Sequence, residues 1–330
     1  MGRQRAARSQ YLDPTGGSLF QESLLDKGYE HERKSNADRK MIEPLILFKM
    51  LVLQQLFNLS DEELEFQEND RRSFEGFVGL GVMNRIPDAT TVAFFRERLR
   101  KVGVIKELFE MFEGYLRSQG LQARGGQIID ATLVPVPKQR NTREENKEIK
   151  AGRLPEGWDE NPDRLQQKEL DARWTIKNGI SYYGYKNSIC IDFDHGFIRR
   201  YAVTSTNIHD SQMLPHLLDP ENEHDYVWAD SAYSGECFED LLNLGGFESL
   251  IHEKGARNHP LSDATKELNR VKSSIRAFVE HVFGNMTMSM GGKLTRKIGL
   301  ERNEAWWGLK NLTFNFLRYL QRSYHAAVAA

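Results

Sequence analysis

Gln127-Ile-Ile-Asp130-Ala-Thr-Leu-Val134, entered from Gly125-Gly126 and closed by Pro135 and Pro137, is the stretch on which the reading of this chain turns. Short, apolar and β-branched between chain-breaking residues, it predicts a strand. Asp130 interrupts it. Aspartate has low strand propensity and is costly to bury unpaired, so a compensating partner is expected. Further on, Tyr226-Val-Trp-Ala229 is a second apolar run with Asp230 directly at its carboxyl end, where open α/β sheets collect their ligands. Either aspartate alone reads first as a turn or cap residue. Two strands that each offer a carboxylate are more informative than one.

Around these two runs the periodicity alternates. Residues 181–193 and 196–206 are strand-like, and Asp194-His-Gly196 between them is hairpin chemistry. A helix is expected over 209–218, another over 233–244, a last strand over 247–252, a long helix over 263–286 and an aromatic helix from Asn303, reaching about residue 322. Upstream, Ile42 to Asn58 reads as a core helix with Leu45, Phe48, Val52 and Leu56 on one face and Pro44 in its first turn. Ser60 followed by Asp61, Glu62 and Glu63 starts the next helix, and Pro87-Asp88 starts one that carries Val92, Phe95, Leu99 and Val102. Residues 138–178 are rich in charge, with no core-forming pattern, and read as an insertion or loop. The expectation is therefore an α/β chain. A flexible arm (1–40) and a helical domain for DNA binding or oligomerisation (41–122) precede a mixed-sheet catalytic core (123–330) that contains the charged insertion.

Composition narrows the function classes. With 39% hydrophobic and 28% charged residues and no apolar run near 20 residues, a soluble protein without a membrane span is expected, and the arginine-bearing N-terminus has no apolar stretch to make a secretory signal. A cytoplasmic location follows as an expectation. Two cysteines make neither a disulfide framework nor a zinc site. A net charge of −2 means that any nucleic-acid contact must rest on local patches.

Among 47 acidic residues, position picks out a third candidate. Val271, Ile275, Phe278, Val279 and Val282 form an apolar stripe at helical spacing, with Glu280 opposite and Arg276 one turn before it. A plain surface Arg/Glu pair is the competing explanation. Three carboxylates suit Mg²⁺, with Mn²⁺ as a substitute, because these hard ions take oxygen ligands and keep waters for a phosphate substrate.

Ile128-Ile-Asp130-Ala-Thr, Trp228-Ala-Asp230-Ser-Ala-Tyr233 and Arg276-Ala-Phe-Val-Glu280-His-Val-Phe-Gly284 together resemble the signature blocks of bacterial insertion-sequence DDE transposases of the insertion-sequence-five type. The blocks are 100 and 50 residues apart, and the similarity runs through Gly184-Tyr-Lys186 and Thr204 to Asp210. The resemblance implies a ribonuclease H-like core whose first strand, fourth strand and late helix present Asp130, Asp230 and Glu280 as catalytic and metal-binding residues. It also implies cleavage at the element's terminal inverted repeats and strand transfer into target double-stranded DNA, by a homodimer or higher homo-oligomer assembled on the ends. The family's accompanying Tyr, Arg, Glu and Lys pattern is met by Arg276 and Glu280, whereas Ser273 stands for the Tyr and Thr287 for the Lys. Lys293 or Arg296 is a candidate replacement for that lysine.

Secondary candidates are Lys186 and His209-Asp210, as auxiliary phosphate or site residues. Asp210 reads first as a helix cap. Arg96, Arg98, Arg100 and Lys101 could face DNA from the second half of a helix-turn-helix-like unit, and Lys138 and Arg140 from the charged insertion; ordinary surface charge is the competing reading for both groups. Trp306, Trp307, Phe314 and Phe316 read as core or subunit interface. Two rival functions stand beside the transposase: a catalytically silent DNA-binding derivative, and a ribonuclease H-like nuclease that cuts without joining.

Overall fold

The computed structural model describes residues 22–27, 42–81, 85–255 and 260–329, so most of the arm expected over 1–40 lies outside the described residues. Five helices follow the short α1 (Glu22–Lys27): α2 (Pro44–Phe57), α3 (Asp61–Asp70), α4 (Arg72–Val78), α5 (Ala89–Lys101) and α6 (Val104–Ser118). The expected caps are in place, with Ser60 Oγ accepting from the Glu63 amide (3.0 Å) and Asp88 Oδ1 from that of Thr91 (2.8 Å). α2 departs from expectation because it is buried nearly all round, Gln54 and Gln55 included. The cause is its position, packed by α1, α3, α4, α5 and a helix from the far end of the chain.

The chain enters the sheet at Gly126, whose φ of +91° and closeness to Trp228 (an added Cβ would stand 2.5 Å from that ring) leave room for glycine alone. β1 (Gln127–Pro135) is followed by α7 (Arg143–Lys150), α8 (Pro162–Leu165), β2 (Arg173–Lys177), β3 (Ile180–Asp192) and β4 (Ile198–Ser205). A 3₁₀ turn and α9 (Leu214–Leu217) lead to β5 (Tyr226–Trp228), α10 (Glu236–Leu244), β6 (Glu248–Ser249), α11 (Asp263–Ser289) and α12 (Leu300–Ala329). β1 pairs antiparallel with β3 and parallel with β5, β3 pairs antiparallel with β4, and β5 pairs parallel with β6. The order β4-β3-β1-β5-β6 is the ribonuclease H-like mixed sheet expected. β2 extends it by pairing with the first half of β3.

The charged segment 138–178 is thus more than a loop. Trp158 is buried (3% exposed), with its indole N–H donating to Glu145, and residues 173–177 form a sheet strand. Glu169, almost fully buried, accepts from the Tyr185 hydroxyl (2.5 Å) and from the amides of Asp171, Ala172 and Gly299. Only part of the segment's charge is used this way, since Arg140, Arg143, Glu144, Lys147 and Lys150 are exposed.

Successive residues of β1 serve opposite faces: Ile128 joins the larger core and Ile129 the smaller one under α9 and α10. The larger core is continuous from the front helices through the sheet to α11 and α12. α12 makes that continuity by packing on α2, α5, α6, β3 and β4, with Trp306, Trp307, Phe314 and Phe316 all buried in it. Polar links fix the fit, since Asn315 both accepts from the Ile198 amide (2.9 Å) and donates to its carbonyl (2.8 Å).

Candidate active site

The β1–β5 ladder aligns Gln127 with Val227 and Ile128 with Trp228. Asp130 and Asp230 each follow the last aligned pair by two residues, Asp230 just beyond the end of β5. The 100-residue spacing in the sequence is therefore a lateral neighbourhood in the sheet. α11 lies across β1 and β5 and brings Glu280 to the same place. Asp130, Asp230, Arg276 and Glu280 line one cavity of about 490 Å³.

Asp130 is buried (8% exposed) and accepts from the Ala131 amide (2.7 Å) and from Arg276 Nη1 (2.6 Å). Burial pushes its carboxyl up to about 6, Arg276 and the Ala131 N–H oppose that rise, and Asp230 and Glu280 add to it. Asp230 caps a 3₁₀ turn, accepting from the Ala232 amide (2.8 Å). Glu280 is exposed and meets Arg276 Nη1 at 3.4 Å. Arg276 thus bridges Asp130 and Glu280, while its buried Nε has no partner among the described residues. Three like charges are gathered around one arginine, and among the described residues no three such side chains stand as a ready metal cage.

The apolar stripe of α11 is phased differently from the sequence reading. Val279, Val282, Phe283 and Met286 are buried, but Val271 and Phe278 are about half exposed, Phe278 meeting Phe193 and His281 edge-on. Lys293 lines the cavity, its ammonium held below the usual lysine range by burial and drawn back up by Glu280 and Asp130. Arg296 lies elsewhere. Lys177 and Tyr182, from the β2–β3 hairpin, also line the cavity and were not singled out by sequence. Asn178-Gly179 was the available signal: both residues have positive φ (53° and 75°) and form the two-residue turn of that hairpin.

Other candidates fall outside this cavity. Lys186 Nζ donates to Asp210 (2.6 Å) and to the Ile208 carbonyl (2.7 Å), so those two candidates do meet, in an ion pair with each other. His209, rather than Asp210, caps the following turn, with Nδ1 2.8 Å from Ser211 Oγ. Ser273 contacts the His252 ring (3.3 Å), and Thr287 bonds back to the Phe283 carbonyl. On α5, Arg96 is paired with Asp61 (2.6 Å) and Arg100 with Glu97 (2.7 Å) and Glu301, so both point into the protein. Arg98 is half-buried and Lys101 exposed. Lys138 stacks over Trp174 (4.9 Å), and Arg140 is exposed.

The topology and its acidic cavity define a ribonuclease H-like protein. The family model for the transposase DDE domain matches residues 122–316, and that for a transposase domain (DUF772) matches residues 10–98. The chain belongs to the DDE transposases, a family of enzymes that cleave and transfer DNA. Among solved structures it is similar to a piggyBac transposase synaptic complex with hairpin DNA, at 11% identity and a TM-score of 0.47 over 96% of this chain and 75% of that one. No helix among the described residues is long and apolar enough to cross a membrane.

Proposed function

We propose that the chain is a transposase of the insertion-sequence-five type that cleaves at the terminal inverted repeats of its element and joins the ends to target DNA. Asp130, Asp230 and Glu280 are its catalytic carboxylates. One observation carries the reading: carboxylates from β1, β5 and α11, remote in sequence, line a single cavity.

The donor set fits Mg²⁺ or Mn²⁺, since it is made of carboxylates alone and presents oxygen to a hard ion. Arg276 stands where such a charge would be needed, on Asp130 and Glu280, and must let go of them for an ion to be held. A bound pair of these ions supplies activation of water or a DNA 3′-hydroxyl and stabilisation of the leaving oxygen. Once released, Arg276 can place its guanidinium fork on a substrate phosphate, for which its geometry is suited. Lys177 and Lys293 add positive charge on the cavity wall towards the same phosphates. Assembly of two or more copies on paired element ends completes the proposal.

The test is strand cleavage and joining on labelled element-end duplex with Mg²⁺, Mn²⁺ or EDTA. Metal-dependent cutting followed by joining supports the transposase. Cutting without joining makes it a nuclease, and end binding without cutting makes it a silent derivative.

A further inference from the structure

The stretch from Met290 to Gly299 joins α11 to α12 without helix or strand of its own, yet it is firmly tethered. Lys310, itself buried (1% exposed), donates to the carbonyls of Met290 (2.9 Å) and Gly292 (3.0 Å). The Thr295 amide donates to the Pro135 carbonyl at the end of β1 (3.2 Å), and Asn58 Nδ2 to the Gly291 carbonyl (3.0 Å). This strap carries three cations. Lys293 faces the catalytic cavity, whereas Arg296 and Lys297 line a second cavity of about 260 Å³.

The second cavity is walled by α5, the strap, α12 and Gln166. Arg96, Arg100 and Arg302 join the two strap residues, giving five cations. Three carboxylates touch them: Asp61 on Arg96, Glu97 between Arg100 and Arg302, and Glu301 on Arg100. The surplus resides on Arg296 and Lys297, for which no ion pair is found among the described residues. Lys297 lies over the Trp306 ring (4.7 Å), and burial, with Arg96 and Arg302 nearby, pushes its ammonium down to about 8 although Asp61 and Glu62 oppose that fall. A half-buried ammonium on an aromatic floor, hemmed in by arginines, is a group that an anion would relieve.

We propose that this second cavity binds a backbone phosphate of the same DNA that enters the catalytic cavity. Lys293 and Lys297 are four residues apart, at most about 14 Å along an extended chain. Measured along a duplex axis, that span is at most about four base-pair steps at roughly 3.4 Å each. The strap therefore sets where the substrate strand lies relative to the carboxylates. α5 contributes arginines to a phosphate site rather than side chains to base reading. The identity of the polyanion rests on the transposase reading; the existence of an anion site does not.

The experiment measures affinity for a labelled element-end duplex and for a scrambled one by fluorescence anisotropy across a salt series. Proteins compared are the native chain, Arg296→Gln, Lys297→Gln, the double variant and Lys297→Arg, with Lys106→Gln on the exposed side of α6 as a charge-matched control. Each Gln variant should flatten the log-affinity against log-salt slope by about 0.9 per lost phosphate contact, equally on both duplexes. Lys297→Arg and Lys106→Gln should keep the native slope, and thermal melts should confirm folding. A double variant with the native slope overturns the site. If the slopes change as expected while the native chain cuts no DNA with Mg²⁺, the anion site stands and the transposase reading falls.

Discussion

Arg199 and Arg276 each bridge two carboxylates, with opposite outcomes. Arg199 on β4 is wholly buried: Nε reaches Asp192 (2.9 Å), Nη1 reaches both oxygens of Glu113 (2.7 and 2.9 Å) and Nη2 the Leu121 carbonyl (2.8 Å). Asp192 also accepts from the amides of His195 and Phe197, so the cluster is closed. Arg276 has one nitrogen on Asp130 and Glu280, an Nε without a partner among the described residues, and an open cavity before it. A charge cluster that completes its own hydrogen bonds holds the fold. One left incomplete is poised for something from outside.

The strongest way to break this contrast is to neutralise the open cluster. Asp130→Asn, Asp230→Asn and Glu280→Gln should each lower cleavage and joining on the order of a thousandfold or more, with DNA binding intact. A variant that cuts and joins at the native rate removes that residue from the set. Arg199→Met probes the closed cluster. It strands Asp192 and Glu113 in the interior and should cost about 3 kcal/mol or more in urea unfolding. A loss near zero would erase the distinction.

The two clusters should also differ in what their charges do to stability. The folded Asp130 carboxyl, at about 6, binds its proton more tightly than the unfolded side chain near 3.8. Stability of the metal-free protein contributed by this group is therefore greatest below pH ~4 and declines as pH rises to about 6. Asp130→Asn should abolish that decline and be more stable than the native chain at pH 8 by about 3 kcal/mol. Added Mg²⁺ should raise the melting temperature of the native chain alone. A smaller effect tests Lys186 and Asp210. If they serve each other, a double-mutant cycle in unfolding should give a coupling of about 1 kcal/mol, and Lys186→Met should slow cleavage less than tenfold.

The contrast also explains what was legible in the sequence. β1, β5 and the end of α11 announce themselves because each carboxylate interrupts or abuts a local apolar pattern, so the three site candidates could be picked without knowing any contact. Arg199, Glu169 and Lys310 could not, because their partners stand at positions such as Glu113, Gly299 and Met290, which no local pattern connects to them. β2 was hidden for another reason. As a strand paired on one side only, with Ile176 exposed, it lacks the alternation that a half-buried strand shows. The α11 stripe misled because Val271 and Phe278 keep helical spacing yet stay about half exposed.

The dependence of the front helices on α12 has a consequence in time. At 5–20 residues per second, roughly 10 to 40 s pass between synthesis of the end of α5 and the start of α12. Throughout that interval α2 and α6 lack the aromatic wall on which they close, and for much of it Asp130 has neither Asp230 nor Arg276 beside it. A nascent chain of this kind needs shielding for its apolar faces, and its acidic cavity stays unbuilt. The cavity that gathers Asp130, Asp230 and Glu280 takes shape only once translation has delivered α11.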